Sequence, residues 1–192
     1  MFDWKTQYRE KIISPENAAL LVKDNMFIHF GALPSDPWYL AQYIHARSTE
    51  LNNVVIYGDL MRDMNNWDHI SLDDSDNRHV EFRSGYLTPG TRGTWQRKHL
   101  HYTPGTVFTD HFRYSREIPH PDIGFFHMTT PDENKTAGFG IGLWDNKINI
   151  QKCGLVVAEV QENMLRTAGD NFIDTSLIDY FVIIPDGELP KA

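Results

Sequence analysis

The sequence predicts an α/β fold, a mostly parallel sheet covered by helices, on three observations. Its strand candidates are apolar at successive positions, not alternate ones, which suits strands buried on both faces. Capped helical segments separate several of them, the arrangement that builds a parallel sheet with helices on its faces. The third is size: 192 residues, 41% of them hydrophobic and 23% charged, predict a single domain over residues 1–192. A chain of that length buries roughly 70% of the surface it exposes when unfolded.

Taken in order, Ser14-Pro15-Glu16 opens a helix: a hydroxyl cap, a proline whose missing N–H costs nothing in the first turn, and an acid favoured by the helix dipole. The helix is expected to run on through Ala18, Leu20, Leu21 and Val22. Met26-Phe27-Ile28-His29-Phe30 is a strand closed by Gly31, and Asp36-Pro37 repeats the cap-plus-proline signal before Leu40, Ala41 and Ile44 at helical spacing. Val54-Val55-Ile56-Tyr57 is a second strand, closed by Gly58-Asp59. Between residues 59 and 105, Asp73, Asp74, Asp76, Gly85, Pro89, Gly90, Gly93, Pro104 and Gly105 favour turns and irregular connections. Further strands are expected at Val107 to Phe112, Ile123 to Met128, Gly138 to Leu143, Leu155 to Val160 and Tyr180 to Ile184. No internal repeat or linker interrupts the chain.

Composition excludes several functions. One cysteine, Cys153, makes neither a disulfide framework nor a thiolate zinc site, and points to a reducing compartment. A net charge of −8 without a Lys/Arg cluster argues against nucleic acid as a partner. The polar N-terminus is no secretory signal, and no apolar stretch approaches the ~20 residues needed to span a bilayer, so no membrane partner and a cytoplasmic location are expected.

Chemistry in such sheets gathers on loops beyond the carboxyl ends of the strands, here residues 31–36, 58–63, 129–137 and 161–170. Several motifs reduce to packing. Gly138-Phe139-Gly140-Ile141-Gly142 lacks the strand before and helix after that a dinucleotide fingerprint needs, so its glycines read as close packing. His99 and His101 would share one face of a strand but no third ligand is forced, and no metal is expected. Cys153 reads as a small buried hydrophobe at a helix-to-strand junction, and Ser35, Ser115 and Ser176 lie in no nucleophile elbow. Two acidic, polar segments leave good strands: Met128-Thr129-Thr130-Pro131-Asp132-Glu133-Asn134 and Ala158 to Asp170. On composition alone, Pro131-Asp132 reads equally as a turn and Glu162 to Arg166 as a helix start.

Together these segments resemble the N-terminal half of the acetyl-CoA hydrolase and CoA-transferase family, which includes 4-hydroxybutyrate and butyryl CoA-transferases. The likeness begins at Tyr8 to Lys11, Ser14, Glu16 and Ala18, and continues at Gly31 with Pro34 or Pro37 and then Leu40. Ile123, Thr130-Pro131-Asp132-Glu133 and Gly138-Phe139-Gly140 are similar to the family's SPxDEHGYxxFG stretch. Val157-Ala158-Glu159-Val160, Glu162-Asn163-Met164, Arg166, Gly169 and Ile178-Asp179 are similar to its IAEVNxNMPRxxG…ID stretch. Asn134-Lys135 stands where the family has His-Gly, Gln161 where it has Asn, and Leu165 where it has Pro.

The resemblance implies a CoA-transferase-type fold and an acyl-CoA substrate, with coenzyme A as the group exchanged. In the family the nucleophile is a glutamate of the second half, which takes the acyl group and forms a glutamyl-CoA thioester. No glutamate here matches it, so no catalytic residue is expected in this chain, and a second CoA-transferase-like subunit is expected as partner. The acyl side of the site would be lined by His29, Gly31, Pro34, Thr130, Pro131, Asp132, Glu133, Gln161, Asn163, Met164 and Arg166. His29 is read either as a hydrogen-bonding site residue or as a packed core histidine. The alternatives are the same fold turned to acyl-CoA hydrolysis, decarboxylation or condensation, or a non-catalytic assembly subunit.

Overall fold

A computed structural model describes residues 2–31, 35–58, 80–98, 100–104 and 120–185. Seven strands form one sheet: β1 (Phe27–Phe30), β2 (Val54–Tyr57), β3 (Val80–Ser84), β4 (His101–Tyr102), β5 (Ile123–Thr129), β7 (Leu155–Gln161) and β9 (Tyr180–Ile183). Their order is β4-β3-β2-β1-β5-β7-β9, and every neighbouring pair is parallel. β6 (Thr136–Gly138) and β8 (Phe172–Asp174) make a separate antiparallel pair.

Alternate residues of β5, β7 and β9 feed two cores, as the period of two requires, while β1, β2 and β3 feed the first. One face sends Ile28, Phe30, Ile56, Phe82, Phe125 and Val157 against α2 (Pro15–Ala19) and α3 (Trp38–Ala46). The other sends Phe126, Met128, Val156, Ala158, Val160 and Phe181 against Trp4 of α1 (Trp4–Gln7), Phe139 and Ile150. β5 is buried at all seven positions. At the edge opposite β4, β9 meets the N-terminal segment, whose Ile13 N–H donates to the Phe181 carbonyl.

Several local expectations are corrected. The Ser14 hydroxyl caps α2 by accepting from Asn17 N–H, but the helix ends at Ala19, and Leu21 and Val22 follow in three-residue turns bonded to Ala18 and Ala19. Asp36 does not cap α3. Pro37 is the capping residue, without a side-chain cap of its own. Gly138–Leu143 is no strand beyond Gly138: the chain turns there, with Gly142 N–H bonded to Phe139 O, and Phe139 enters the second core from the turn. Within the stretch read as irregular lie β3, β4 and α4 (Pro89–Gln96), whose cap is the Thr88 hydroxyl. The strand expected at Val107 to Phe112 and the loop 59–63 lie outside the described residues.

Candidate functional site

Chain order reverses between β1 and β5. From β1 the sheet grows through β2, β3 and β4 on one side and through β5, β7 and β9 on the other. A crevice opens beyond the carboxyl ends of strands at such a point, because the connections leave in opposite directions. Gly31 follows β1 there, the Thr129-Thr130 pair ends β5, and Gln161 ends β7 opposite Thr129.

The connection that follows β1 is tied to β5 at both ends. Gly31 N–H donates to Phe125 O at 2.8 Å, and His127 N–H donates to Ser35 O at 3.1 Å. The buried Ser35 hydroxyl donates to Phe139 O at 2.9 Å. Gly142 lies so close to this serine that a Cβ placed on it would sit 2.1 Å from Ser35 Oγ and 2.7 Å from Ser35 N. The helix α5 (Asn146–Asn149) closes the corner, with Asn146 Nδ2 donating to Gly142 O at 2.7 Å. The glycine-rich stretch thus serves close packing, against a loop and not within a strand.

Arg166 brings the two motif segments together. Its guanidinium donates to Thr129 Oγ1 and Thr130 O, both at 3.0 Å, to Asp132 Oδ2 at 2.8 Å and to Thr136 Oγ1 at 3.3 Å, and lies 4.7 Å from the centre of the Phe172 ring. A planar fork of donors suits this multiple engagement. Asp132 also accepts from Asn134 N–H, Thr136 N–H and the Thr136 hydroxyl, so it braces the turn after Pro131. Burial pushes its pKa up, but the Thr136 and Asn134 hydrogen bonds with the Arg166 charge outweigh it and hold the carboxyl below its ordinary value. Lys135, at the position where the resemblance has glycine, adopts a left-handed φ of 59°. That conformation costs a side-chain-bearing residue about 1 kcal/mol. Lys135→Gly is therefore expected to stabilise the protein by about 1 kcal/mol in urea unfolding.

The other expected site residues divide. Met164 packs its methyl on Gly140, itself at φ +59°, and Gln161 is partly exposed at the end of β7. Glu133 and Asn163 are exposed, while Pro34 lies outside the described residues. His29 lies within β1. It is 2% exposed in mid-strand, its ring 5.5 Å from that of Phe126 and 6.4 Å from that of Tyr57, with Asn149 Nδ2 at 3.4 Å from Nε2. Burial, aided by the Lys152 charge, pulls its pKa down to about 3, so it is a neutral core histidine. The unfolded chain takes up a proton at about 6.5 and the folded one at about 3, so this group's contribution is complete above pH 6.5 and lost as pH falls through that window. His29→Gln is expected to flatten the pH dependence of the urea midpoint between those limits.

One residue of this site was overlooked. Glu159, on β7 opposite His127 of β5, is fully buried. Its carboxylate accepts from Leu40 N–H at 2.8 Å and Tyr39 N–H at 3.5 Å, and Oε1 stands 3.8 Å from His127 Nδ1. It is the missing cap of α3. An acid in a run of apolar residues on a doubly buried strand was the available signal, since such a group must find donors.

Elsewhere, burial pushes the Cys153 thiol up to about 12, and its Sγ donates to Asn149 O, an inert setting at the junction into β7. Among the described residues no group of three or more His, Cys, Asp or Glu is arranged to hold a metal, and no helix is long and apolar enough to cross a membrane. His101 is described, His99 is not. A groove of about 590 Å³ lined by Gln7, Tyr8, Lys11, Lys135 and Thr175 lies beside the Asp132 turn and includes none of the expected residues.

With this geometry, the relatives are informative. A model of the acetyl-CoA hydrolase/transferase N-terminal domain matches residues 2–191. The chain is 24% identical over 180 residues to the 4-hydroxybutyrate coenzyme A transferase of Clostridium kluyveri, covering 94% of this chain and 41% of that protein. It is 25% identical over 191 residues to the butyryl-CoA:acetate CoA-transferase of Anaerostipes caccae, covering 97% and 41%. The chain therefore spans about two fifths of the length of these curated relatives. RipA from Yersinia pestis shares the fold at a TM-score of 0.76 and 20% identity, over 100% of this chain and 46% of that one. A chain of the decarboxylase AibA/AibB shares it at 0.58 and 12% identity, over 94% and 85%. This chain belongs to the acetyl-CoA hydrolase/transferase family, as its N-terminal domain.

Proposed function

We propose that this chain forms the acyl side of an acyl-CoA site completed by a second-half subunit that carries the nucleophilic glutamate. The observation that carries the reading is the meeting of both motif segments through Arg166, at the carboxyl end of β5, in a chain matched by the family's first domain from residue 2 to 191. The relatives supply the chemistry. In CoA transfer, a glutamate attacks the thioester carbonyl and the CoA thiolate leaves, giving an acyl-glutamyl anhydride. The thiolate then attacks the glutamyl carbonyl, releasing the carboxylate and leaving glutamyl-CoA for the acceptor acid to reverse. This chain's share is to shape and dry one wall of the site and to orient the acyl group. The same fold occurs in a chain of the AibA/AibB decarboxylase, 85% of which this chain covers.

That same likeness favours decarboxylation of an acyl-CoA as the second reading. Both readings are tested by combining the chain with a second-half subunit of this family and assaying CoA exchange, thioester hydrolysis and decarboxylation. Exchange that disappears when the partner's glutamate is replaced by alanine supports transfer. Carbon dioxide release without exchange supports the decarboxylase, and the absence of all three with no acyl-CoA binding overturns both.

A further inference from the structure

We infer that Glu159 is a positioning residue, a buried carboxylate on β7 that fixes the segment from Ser35 to Leu40 and, through it, the geometry of the proposed acyl-CoA site. The placement is unusual. Glu159 lies on the same face as Val157, in the core that α3 covers, and is 0% exposed. A carboxylate withdrawn from water is costly unless it is hydrogen-bonded, and this one is met by the first N–H groups of α3 at Tyr39 and Leu40 and by His127 at 3.8 Å. The helix dipole there favours negative charge. Pro37, the capping residue, supplies no side-chain acceptor, so the start of α3 is held from a strand 119 residues further along the chain.

The same point receives a second tie. His127, which faces Glu159 across the β5–β7 pair, gives its backbone N–H to Ser35 O. Ser35, Tyr39 and Leu40 are thus secured by neighbouring residues of β5 and β7, two residues before each of those strands ends at Thr129 and Gln161. A shift of Glu159 would act on Tyr39 and Leu40 directly and on Ser35 through the paired His127. Its effect on chemistry is expected to pass through the position of Ser35, Tyr39 and Leu40. The functional half of this inference rests on the proposed acyl-CoA site; the structural half does not.

Two measurements separate them. In the isolated chain, hydrogen exchange at the Tyr39 and Leu40 amides is compared between the native protein and Glu159→Gln, which keeps shape and one acceptor oxygen. Because a hydrogen bond to a charged group is lost, exchange about tenfold faster or more is expected, confined to residues 35–41. Glu159→Asp, one methylene shorter, is expected to exchange as fast as Glu159→Gln, and His127→Gln to exchange faster at the same amides. In the assembled enzyme, Glu159→Gln is expected to lower kcat about tenfold or more with KM for acyl-CoA within about twofold, since orientation is lost and not binding. Unchanged exchange at Leu40 overturns the inference. Faster exchange with unchanged kcat also overturns it, reducing Glu159 to a local cap. If the native assembly shows no acyl-CoA chemistry, the proposed site fails, and the exchange result alone decides whether Glu159 fixes this segment.

Discussion

Gly142→Ala is expected to cost about 3 kcal/mol of stability, read as a lower urea midpoint at unchanged slope. The new Cβ would stand 2.1 Å from Ser35 Oγ, 2.8 Å from Ser35 Cβ and 2.7 Å from Ser35 N. Only the hydroxyl can rotate away. The backbone nitrogen belongs to a segment tied to β5 by Ser35 O and His127 N–H, so relief requires moving either that segment or the glycine turn, and overpacking of this kind is costly. The hydroxyl also loses its bond to Phe139 O. Ser35→Gly in the same chain removes two of the three close approaches and is expected to recover less than half of the loss. Full recovery would mean that the backbone approach carries no strain.

Arg166→Ala is expected to cost about 2 kcal/mol and, if the proposed acyl-CoA assembly holds, to abolish most of its activity. Four acceptors on β5 and the Asp132 turn lose their shared donor, but the guanidinium is about a third exposed (34%), so water takes up part of the deficit. Arg166→Lys is expected to restore little, because one ammonium cannot reach Thr129, Thr130 and Asp132 in a plane. The pH dependence should change as well. The native Asp132 carboxyl, held below its usual 3.8, stabilises the fold above that value and ceases to as pH falls through its lowered pKa. Losing the Arg166 charge narrows that gap, so the variant should show a shallower loss of stability below pH 4. An unaltered acid limb, or activity within a factor of two of native, would count against Arg166 as the joint between the motifs.

Burial on both faces made the central strands legible. Ile123–Thr129, Leu155–Gln161 and Tyr180–Ile183 are mostly apolar at successive positions because they send residues into both cores, and the largely apolar Phe27–Phe30 and Val54–Tyr57 are mostly buried as well. β3 escaped notice because Val-Glu-Phe-Arg-Ser alternates, with Val80 and Phe82 in the core and Arg83 outside, and lies in a turn-rich region. The helix α4 opens with Thr88-Pro89 as cap and first turn, but it lies among Gly85, Pro89, Gly90 and Gly93, which favour turns. Gly138–Leu143 misled in the other direction, since its apolar residues are inserted from turns. Of the site, the motif loops were legible because turns and charges mark them. The role of Glu159 was not, because its donors lie 119 and 120 residues away and only the fold brings them near. The charge on Asp36, adjacent in sequence, pointed to a local cap that the distant carboxylate supplies instead.

The parallel order of the sheet has a consequence for how the chain reaches this structure. β1 is completed by β5, pairing Ile28 with Ile123, and the Phe27 N–H is held by the Asp122 carboxylate across 95 residues. Contacts of such separation must meet the entropy of closing a long loop before they return any stability, which slows folding relative to chains built from hairpins. During synthesis, the β1–β4 side of the sheet emerges first with the edge of β1 still open. The strand that closes this edge is the one that later carries His127 and Thr129, so the wall of the crevice and the centre of the sheet are completed in the same step.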